Sequence, residues 1–348
     1  YFKINFTKVL KKQLNHLTNE IENTELVNDK MIGCSAIIMG GLCFKHQLHY
    51  LNMGFQLLKK IINTIFDNDG FPKSRNPRQV IFYLKYFVFI RELLRDSNTD
   101  IPEYLNEIIF YLGQSFDFYF QDNDGTFLFN GNHNLDVTGF KKYLEEHSYK
   151  FNNKLNSLGG YSIIKNKKDK IIVDFGPTPE KRYTADYQSG ALSFEIFHDK
   201  EKLITNCGYF QNYNHKLNIL SKSTAAHSTL SIDDRSSCKF KKNKFGYYVL
   251  ENNMKVLNKK IYQNSEIWEM QGSHDGYLKE YGILHERNIK FFPKEFKYVG
   301  KDILISKKKF QKISFDIRFH LMPSTNAIKT QDKESILLQL KKTGWKFT

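Results

Sequence analysis

The residue with the most site-like surroundings is His227. It sits in Ser223-Thr224-Ala225-Ala226-His227-Ser228-Thr229-Leu230, a run of small residues around one imidazole. Small neighbours let backbone and ligand approach a histidine closely, which suits acid–base work or ligation, and equally a hydrogen-bonded core histidine. Upstream, Ala191 to Phe197 is apolar at alternate positions, with a hydroxyl and an acid between. That is the period of a half-buried strand. A second strand, Lys202 to Thr205, ends in Asn206-Cys207-Gly208. Farther on, His274 and Tyr277 flank Asp275-Gly276. They are acid–base candidates at a strand end, although Asp-Gly is turn chemistry in its own right. His285 and Arg287 alternate on one strand face, where they would meet an anionic sugar or plain solvent. Arg75 and Asn76 precede Pro77, so they could contact substrate or cap a helix opening at that proline.

The elements that must position these groups change character along the chain. Phe6, Val9, Leu10, Leu14 and Leu17 recur at three- and four-residue steps, a helical period. Met31 to Phe44 is nearly all apolar and small, with Gly33, Gly40 and Gly41, and suits a buried, tightly packed helix. Leu48 to Phe66, Val80 to Leu94 and Ile101 to Phe120 continue the helical pattern, broken at Asp67-Asn68-Asp69-Gly70-Phe71-Pro72. Asp122-Asn123-Asp124-Gly125 reads as a turn, Thr126 to Phe129 as a short strand, and Asn130 to Leu158 as a linker with one helical piece. From Gly160 the period becomes two. Strands are expected at 161–164, 170–174, 193–197, 202–205, 228–232, 247–251, 265–271, 286–292, 303–306 and 314–320. Successive helix pairs fit an incomplete α/α toroid, or less specifically a bundle. Strands without intervening helices argue an antiparallel β-sandwich. The expected domains are residues 1–155 and 156–348. No solenoid repeat is visible.

The chain has 348 residues, with 41% hydrophobic and 15% aromatic content. This describes a globular protein with sizeable cores, about two domains' worth. The formal net charge is +15, which suggests an anionic partner. However, 44 of the 52 basic residues are Lys, dispersed among many Asn, Ile and Phe, so charge alone names no partner. No nucleic-acid recognition motif is present, and nucleic acid is not expected. No apolar run approaches the roughly 20 residues of a membrane span. The four cysteines, Cys34, Cys43, Cys207 and Cys238, form no CxxC pair and no zinc spacing. On one helix, Cys34 and Cys43 would lie roughly 13 Å apart, too far for a disulfide. No signal peptide is visible. Tyr1 opens directly into Phe2-Lys3-Ile4-Asn5-Phe6 without an initiator Met, and the chain stops at Thr348 with no polar tail, so both ends are expected to be truncations.

Five stretches together resemble the heparinase II/III-like family of polysaccharide lyases. They are Asp69-Gly70 with Ser74-Arg75-Asn76-Pro77; Ser189 to Glu195; Ser223 to Leu230; His274 to Tyr277 with His285-Glu286-Arg287; and Arg318-Phe319-His320-Leu321. Order and spacing agree over roughly residues 25 to 348. The resemblance implies an N-terminal α/α toroid and an antiparallel β-sandwich. It also implies β-elimination at a uronic acid, in a periplasmic or exported protein. In that reaction the uronate carboxylate is neutralised, the C5 proton is removed by a base, and the leaving glycosidic oxygen is protonated.

Carried over by motif, the neutralising Asn falls near Asn28, with Asp29 where a His often follows. The family's Tyr falls at Gln79, and Tyr83 lies one helical turn on, on the same face. The family's His-x-His becomes Asp186-Tyr187-Gln188, and its zinc Asp becomes Asn206. Of the metal set only His227 is kept. Two neutral amides in place of a His and a carboxylate make a poor zinc site, so no metal or other cofactor is expected. The resemblance therefore suggests a lyase on an acidic polysaccharide. Its catalytic groups would be drawn from Tyr83, His227, His274 and Tyr277, and its substrate contacts from Asn28, Arg75, Asn76, His285 and Arg287. The alternative is a non-catalytic relative that binds an anionic glycan in the same cleft.

Overall fold

The computed structural model describes residues 2–44, 48–120, 127–306 and 312–348. The chain divides into two compact units. One comprises residues 1–72, 78–117 and 138–153; the other comprises 73–77, 118–137 and 154–348. The expected turn at 122–125 and the start of the strand expected at 126 lie outside the described residues.

The first unit is helical. Its elements are α1 (Phe2–Glu20), α2 (Val27–Cys43), α3 (Leu48–Ile65), α4 (Pro77–Asp96), α5 (Glu103–Phe120) and α6 (Thr138–Glu146). The first residue of α4 and the last three of α5 count with the second unit. The small residues of α2 act as expected. A Cβ on Gly41 would lie 2.7 Å from the Leu51 backbone N, and one on Gly54 of α3 would lie 2.5 Å from Ile38 Cγ1. Glycine on both helices lets the two backbones close on each other. Cys34, buried at this contact, donates its thiol proton to the Gly54 carbonyl at 3.3 Å. The break after α3 is an Asp67 turn, whose carboxylate accepts from Asp69 N (3.0 Å) and Phe71 N (2.8 Å).

The second unit is built of antiparallel strands. β1 (Ser157–Leu158), β2 (Tyr161–Lys165), β3 (Asp169–Asp174), β4 (Phe194–His198) and β5 (Glu201–Ile204) pair in chain order as a five-stranded sheet. After α7 (Lys216–Lys222) come β6 (Leu230–Ile232) and the hairpin of β7 (Phe240–Lys242) and β8 (Tyr248–Leu250). Then β9 (Val256–Gln263), β10 (Trp268–His274), the short α8 (Leu278–Tyr281), β11 (Ile283–Phe292) and β12 (Lys297–Ser306) follow. β9 to β12 form a four-stranded sheet in chain order. β13 (Phe315–Ile317) pairs with β6, and β14 (Asn326–Lys329), β15 (Ile336–Gln339) and β16 (Gly344–Phe347) form a three-stranded sheet. Ile171, Val173, Phe194 and Ile196 of the five-stranded sheet share one apolar core with Trp268, Met270, Ile289 and Phe291 of the four-stranded sheet. Burying such side chains contributes about 1.5–3 kcal/mol each.

Each of the ten expected strands overlaps an observed one. Three expectations need correction. Phe127 to Phe129 is not a strand. The supposed linker from 130 is only partly that, since Asn130 and Asn132 are buried in the second unit. No strand is expected beyond residue 320, yet the C-terminal stretch carries β14 to β16. Only Leu338 of β15 is buried there, so little periodicity marks it.

Candidate functional site

In the helical unit, α4 buries Tyr83 completely, with Phe66 and Phe87 rings against it at 5.2 and 6.0 Å. Its phenol donates to Asn28 Oδ1 of α2 at 3.0 Å. The two residues singled out in this unit are therefore brought together. Burial raises the phenol pKa well above its ordinary value, so Tyr83 is a neutral donor at pH 7. Among charged forms, it would have to yield a proton rather than start as phenolate.

In the second unit, His227 is buried and its Nδ1–H donates to the Ser223 carbonyl at 2.9 Å. Nε2 then carries the lone pair. Among the described residues it has no hydrogen-bond partner. Burial pushes the imidazole down to about 4, so it is neutral. Gly190 permits this arrangement, because a Cβ there would lie 2.7 Å from His227 Cδ2 and 3.1 Å from both His227 Nε2 and Ser193 Oγ.

The amides expected beside His227 are committed to backbone rather than to each other. Gln188 Oε1 accepts from Gly131 N at 3.0 Å, while its Nε2 donates to the carbonyls of Gly208 (3.1 Å) and Ser221 (2.5 Å). Asn206 Oδ1 accepts from Ser228 N at 2.8 Å. Glu195 accepts from Asn206 N (2.9 Å) and Thr205 Oγ1 (3.0 Å), and pairs with Lys202 at 3.1 Å. A zinc ion does not fit these residues. The two amide oxygens that stand where a His and a carboxylate would be needed are already accepting backbone N–H groups. No group of three or more His, Cys, Asp or Glu residues able to hold a metal occurs among the described residues.

The register of the four-stranded sheet assembles a second polar cluster. His274 of β10 faces His285 of β11, and Arg287 faces Asp302 of β12. Gly276 N donates to His274 Nδ1 at 3.1 Å. His274 Nε2–H therefore donates to His285 Nδ1 (3.1 Å), and His285 Nε2–H donates to Asp302 Oδ1 (2.7 Å). Arg287 grips the same carboxylate through Nε (2.8 Å) and Nη2 (3.0 Å), and gives Nη1 to the Leu192 and Ser228 carbonyls. Desolvation drives both imidazoles below their ordinary pKa. The His285 N–H and the Arg287 guanidinium outweigh desolvation at Asp302 and hold its carboxyl far below the usual range. His285 and Arg287 were expected to face a cleft or solvent. Instead they lie on the buried face of β11, alternating inward with Ile283, Ile289 and Phe291. Tyr277 is also buried; its hydroxyl donates to the Arg235 carbonyl at 3.1 Å, and its ring lies 5.6 Å from His274.

Arg75 and Asn76 are likewise turned inward within the second unit. Arg75, at a left-handed φ of 59°, pairs with Asp174 and donates to the Gly159 and Pro177 carbonyls, both at 3.0 Å. Tyr161 stacks under the guanidinium at 4.7 Å. Asn76 Nδ2 donates to Asp186 Oδ2 at 2.8 Å, so its amide goes to that carboxylate. Sequence reasoning did not single out Asp174, Asp302 or Lys222. Buried Lys222 donates to the carbonyls of Ala185, Tyr187 (3.3 Å) and Tyr248 (3.1 Å), which clamps the segment carrying Asp186 and Gln188. Nothing in local spacing marks such partners, because each comes from a different strand or loop.

Comparison with known proteins identifies the fold. The Heparinase II/III-like, C-terminal family matches residues 153–348. A mutant of the heparan sulfate lyase HepC from Pedobacter heparinus superposes with a TM-score of 0.74 at 15% identity, over 98% of this chain and 55% of that one. A heparinase III structure gives 0.72 at 16% identity, over 97% and 56%. FtsZ-localized protein C of Caulobacter vibrioides (strain NA1000 / CB15N) is 23% identical over 287 residues, 78% of this chain and 49% of that protein. The chain thus spans about half the length of these relatives, and it shares the heparinase III fold of a helical part followed by antiparallel sheets. With the family match covering residues 153–348, the chain belongs to the heparinase II/III-like family.

Proposed function

We propose that this protein binds a uronic-acid-containing acidic polysaccharide and does not cleave it. One observation carries the reading. The positions that match the family's imidazoles and metal carboxylate hold Asp186, Gln188 and Asn206, whose acceptor oxygens take hydrogen bonds from Asn76 and from backbone N–H groups. None of those three positions carries an imidazole. Tyr83, His227, His274 and Tyr277 are all buried, which keeps them from a sugar unless their cover opens. The net charge of +15 suits an anionic chain. A relative named for its localisation with FtsZ, rather than for a reaction, agrees with a binding role. We read the helical part as a portion of the family's α/α toroid and the sheets as its β-sandwich, in a periplasmic or exported protein. Among the described residues, no helix is long and apolar enough to cross a membrane.

A second reading keeps the lyase reaction and rests on the Tyr83–Asn28 hydrogen bond of the helical unit. In it, Asn28 would hydrogen-bond the uronate carboxylate and a base would take the C5 proton. The freed electron pair would form the C4–C5 double bond as the C4–O bond breaks. Tyr83 would protonate the departing oxygen. The test is incubation with heparan, chondroitin, hyaluronan, alginate and bacterial exopolysaccharide, with ultraviolet detection of unsaturated uronate. We expect salt-sensitive binding to one of them and no growth of absorbance. Growth that Tyr83→Phe abolishes would replace this reading with the lyase one. Absence of both binding and growth would sink both.

A further inference from the structure

Apart from these clusters, the second unit has a cavity of about 320 Å³, at the small end of small-molecule sites, with room for about one or two sugar rings. We propose that it is a subsite for a carboxylated sugar residue, an inference that takes its ligand class from the polysaccharide-binding reading.

The lining has two parts. Leu128, Met322 and Leu340 offer an apolar wall against which the C–H face of a pyranose can rest, and Ser324 and Thr325 offer hydroxyl groups to its hydroxyls. The charged members are Lys200, Glu201, Lys202 and Lys341. Two of these already answer other groups. Lys202 pairs with Glu195 at 3.1 Å, and Glu201 accepts from Lys342 N (3.1 Å) and Thr343 Oγ1 (3.3 Å). Lys200 and Lys341 are exposed and have no ion-pair partner among the described residues. The rim therefore carries unanswered positive charge above a half-apolar hollow, which is the complement of a sugar bearing one carboxylate.

The backbone supports a dedicated role for Lys200. It sits with Asp199 in the turn between β4 and β5, and both have left-handed φ values of 69° and 45°. That two-residue turn favours Asn-Gly, and a lysine in left-handed conformation costs on the order of 1 kcal/mol. The turn sets Lys200 among the residues that line the cavity.

The test labels the full chain with [methyl-13C]methionine. It contains six methionines, and Met322 is assigned by its loss in Met322→Leu. Sodium glucuronate and glucose are titrated to high millimolar concentration. The expected result is a saturable shift of the Met322 signal with glucuronate and none with glucose. A Lys200→Ala/Lys341→Ala variant with an unchanged melting midpoint should need at least tenfold more glucuronate. An unmoved Met322 signal, an equal response to glucose, or an unaffected double variant would overturn the inference. Retention on an immobilised panel of the polysaccharides, run in parallel, separates the two proposals. Retention without a Met322 response sinks the cavity and leaves the binding reading. A Met322 response without retention does the reverse.

Discussion

Asp302 shows how much a single carboxylate can be asked to hold. It receives His285 Nε2–H and two arms of Arg287, and both donors are buried. Removing it leaves a guanidinium and an imidazole N–H facing each other without an acceptor. We expect Asp302→Ala to cost about 3–5 kcal/mol, read as a lower urea midpoint with unchanged slope; a cost under 1 kcal/mol would show that the cluster rearranges freely. Gly190 is the opposite case, a residue whose value is its absence of side chain. The His227 ring that a Cβ would strike is tethered through Nδ1 to Ser223, so it cannot simply swing aside. Gly190→Ala should therefore destabilise by about 1–3 kcal/mol, while Gly139→Ala, where a Cβ meets nothing within 4 Å, should not. Neither role is legible in sequence. The alternation of His285 and Arg287 told that they share a face, but not that the face is the buried one, because polar residues on an alternating strand ordinarily point outward.

At the scale of elements, periodicity worked best where a face is buried. Most of the expected strands feed the core, such as β3, buried along its whole length, although β13, exposed at all three residues, was expected too. β9 went unread because its residues are exposed almost throughout, and because it is interrupted at Asn258, which has a φ of 54° beside a register shift against β10. A bulge breaks the two-residue repeat on which recognition depends. The register of β10 to β12 carries a consequence for pH. It places His274 and His285 side by side in the neutral form, and His227 is neutral for the same reason of desolvation. All three have folded pKa values below the unfolded value of about 6.5. As pH falls through 6.5 the unfolded chain takes up protons that the folded chain refuses, so stability falls with pH. His227, at about 4 when folded, alone accounts for a loss on the order of 3 kcal/mol between pH 7 and 4. Thermal melts should show a plateau above about pH 7 and a decline that begins near 6.5. A maximum near pH 5 would contradict it.

For the whole molecule, the question is what replaces a metal as the tie between segments. Gln188 reaches Gly131 and Gly208 in two separate loops and Ser221 in α7, and Lys222 holds the carbonyls on either side of Asp186. Together with Asn206 and Glu195 they fasten the second unit with hydrogen bonds that need no ion. The sequence already carried this substitution, in Gln188 and Asn206 where imidazole and carboxylate would be needed, although it could not show where the amides would bond. If the network is the tie, an excess of EDTA leaves the melting midpoint unchanged, and added zinc does not raise it. Gln188→Ala strands one backbone N–H and two carbonyls, a loss of about 2–4 kcal/mol by the cost of buried unpaired groups. Zinc should not restore that loss, since the variant gains no ligand. A midpoint that drops on chelation would mean that His227 Nε2 shares a metal with groups not yet recognised. Both the amide tie and the non-catalytic reading would then have to be abandoned together, because the same two amides carry each of them.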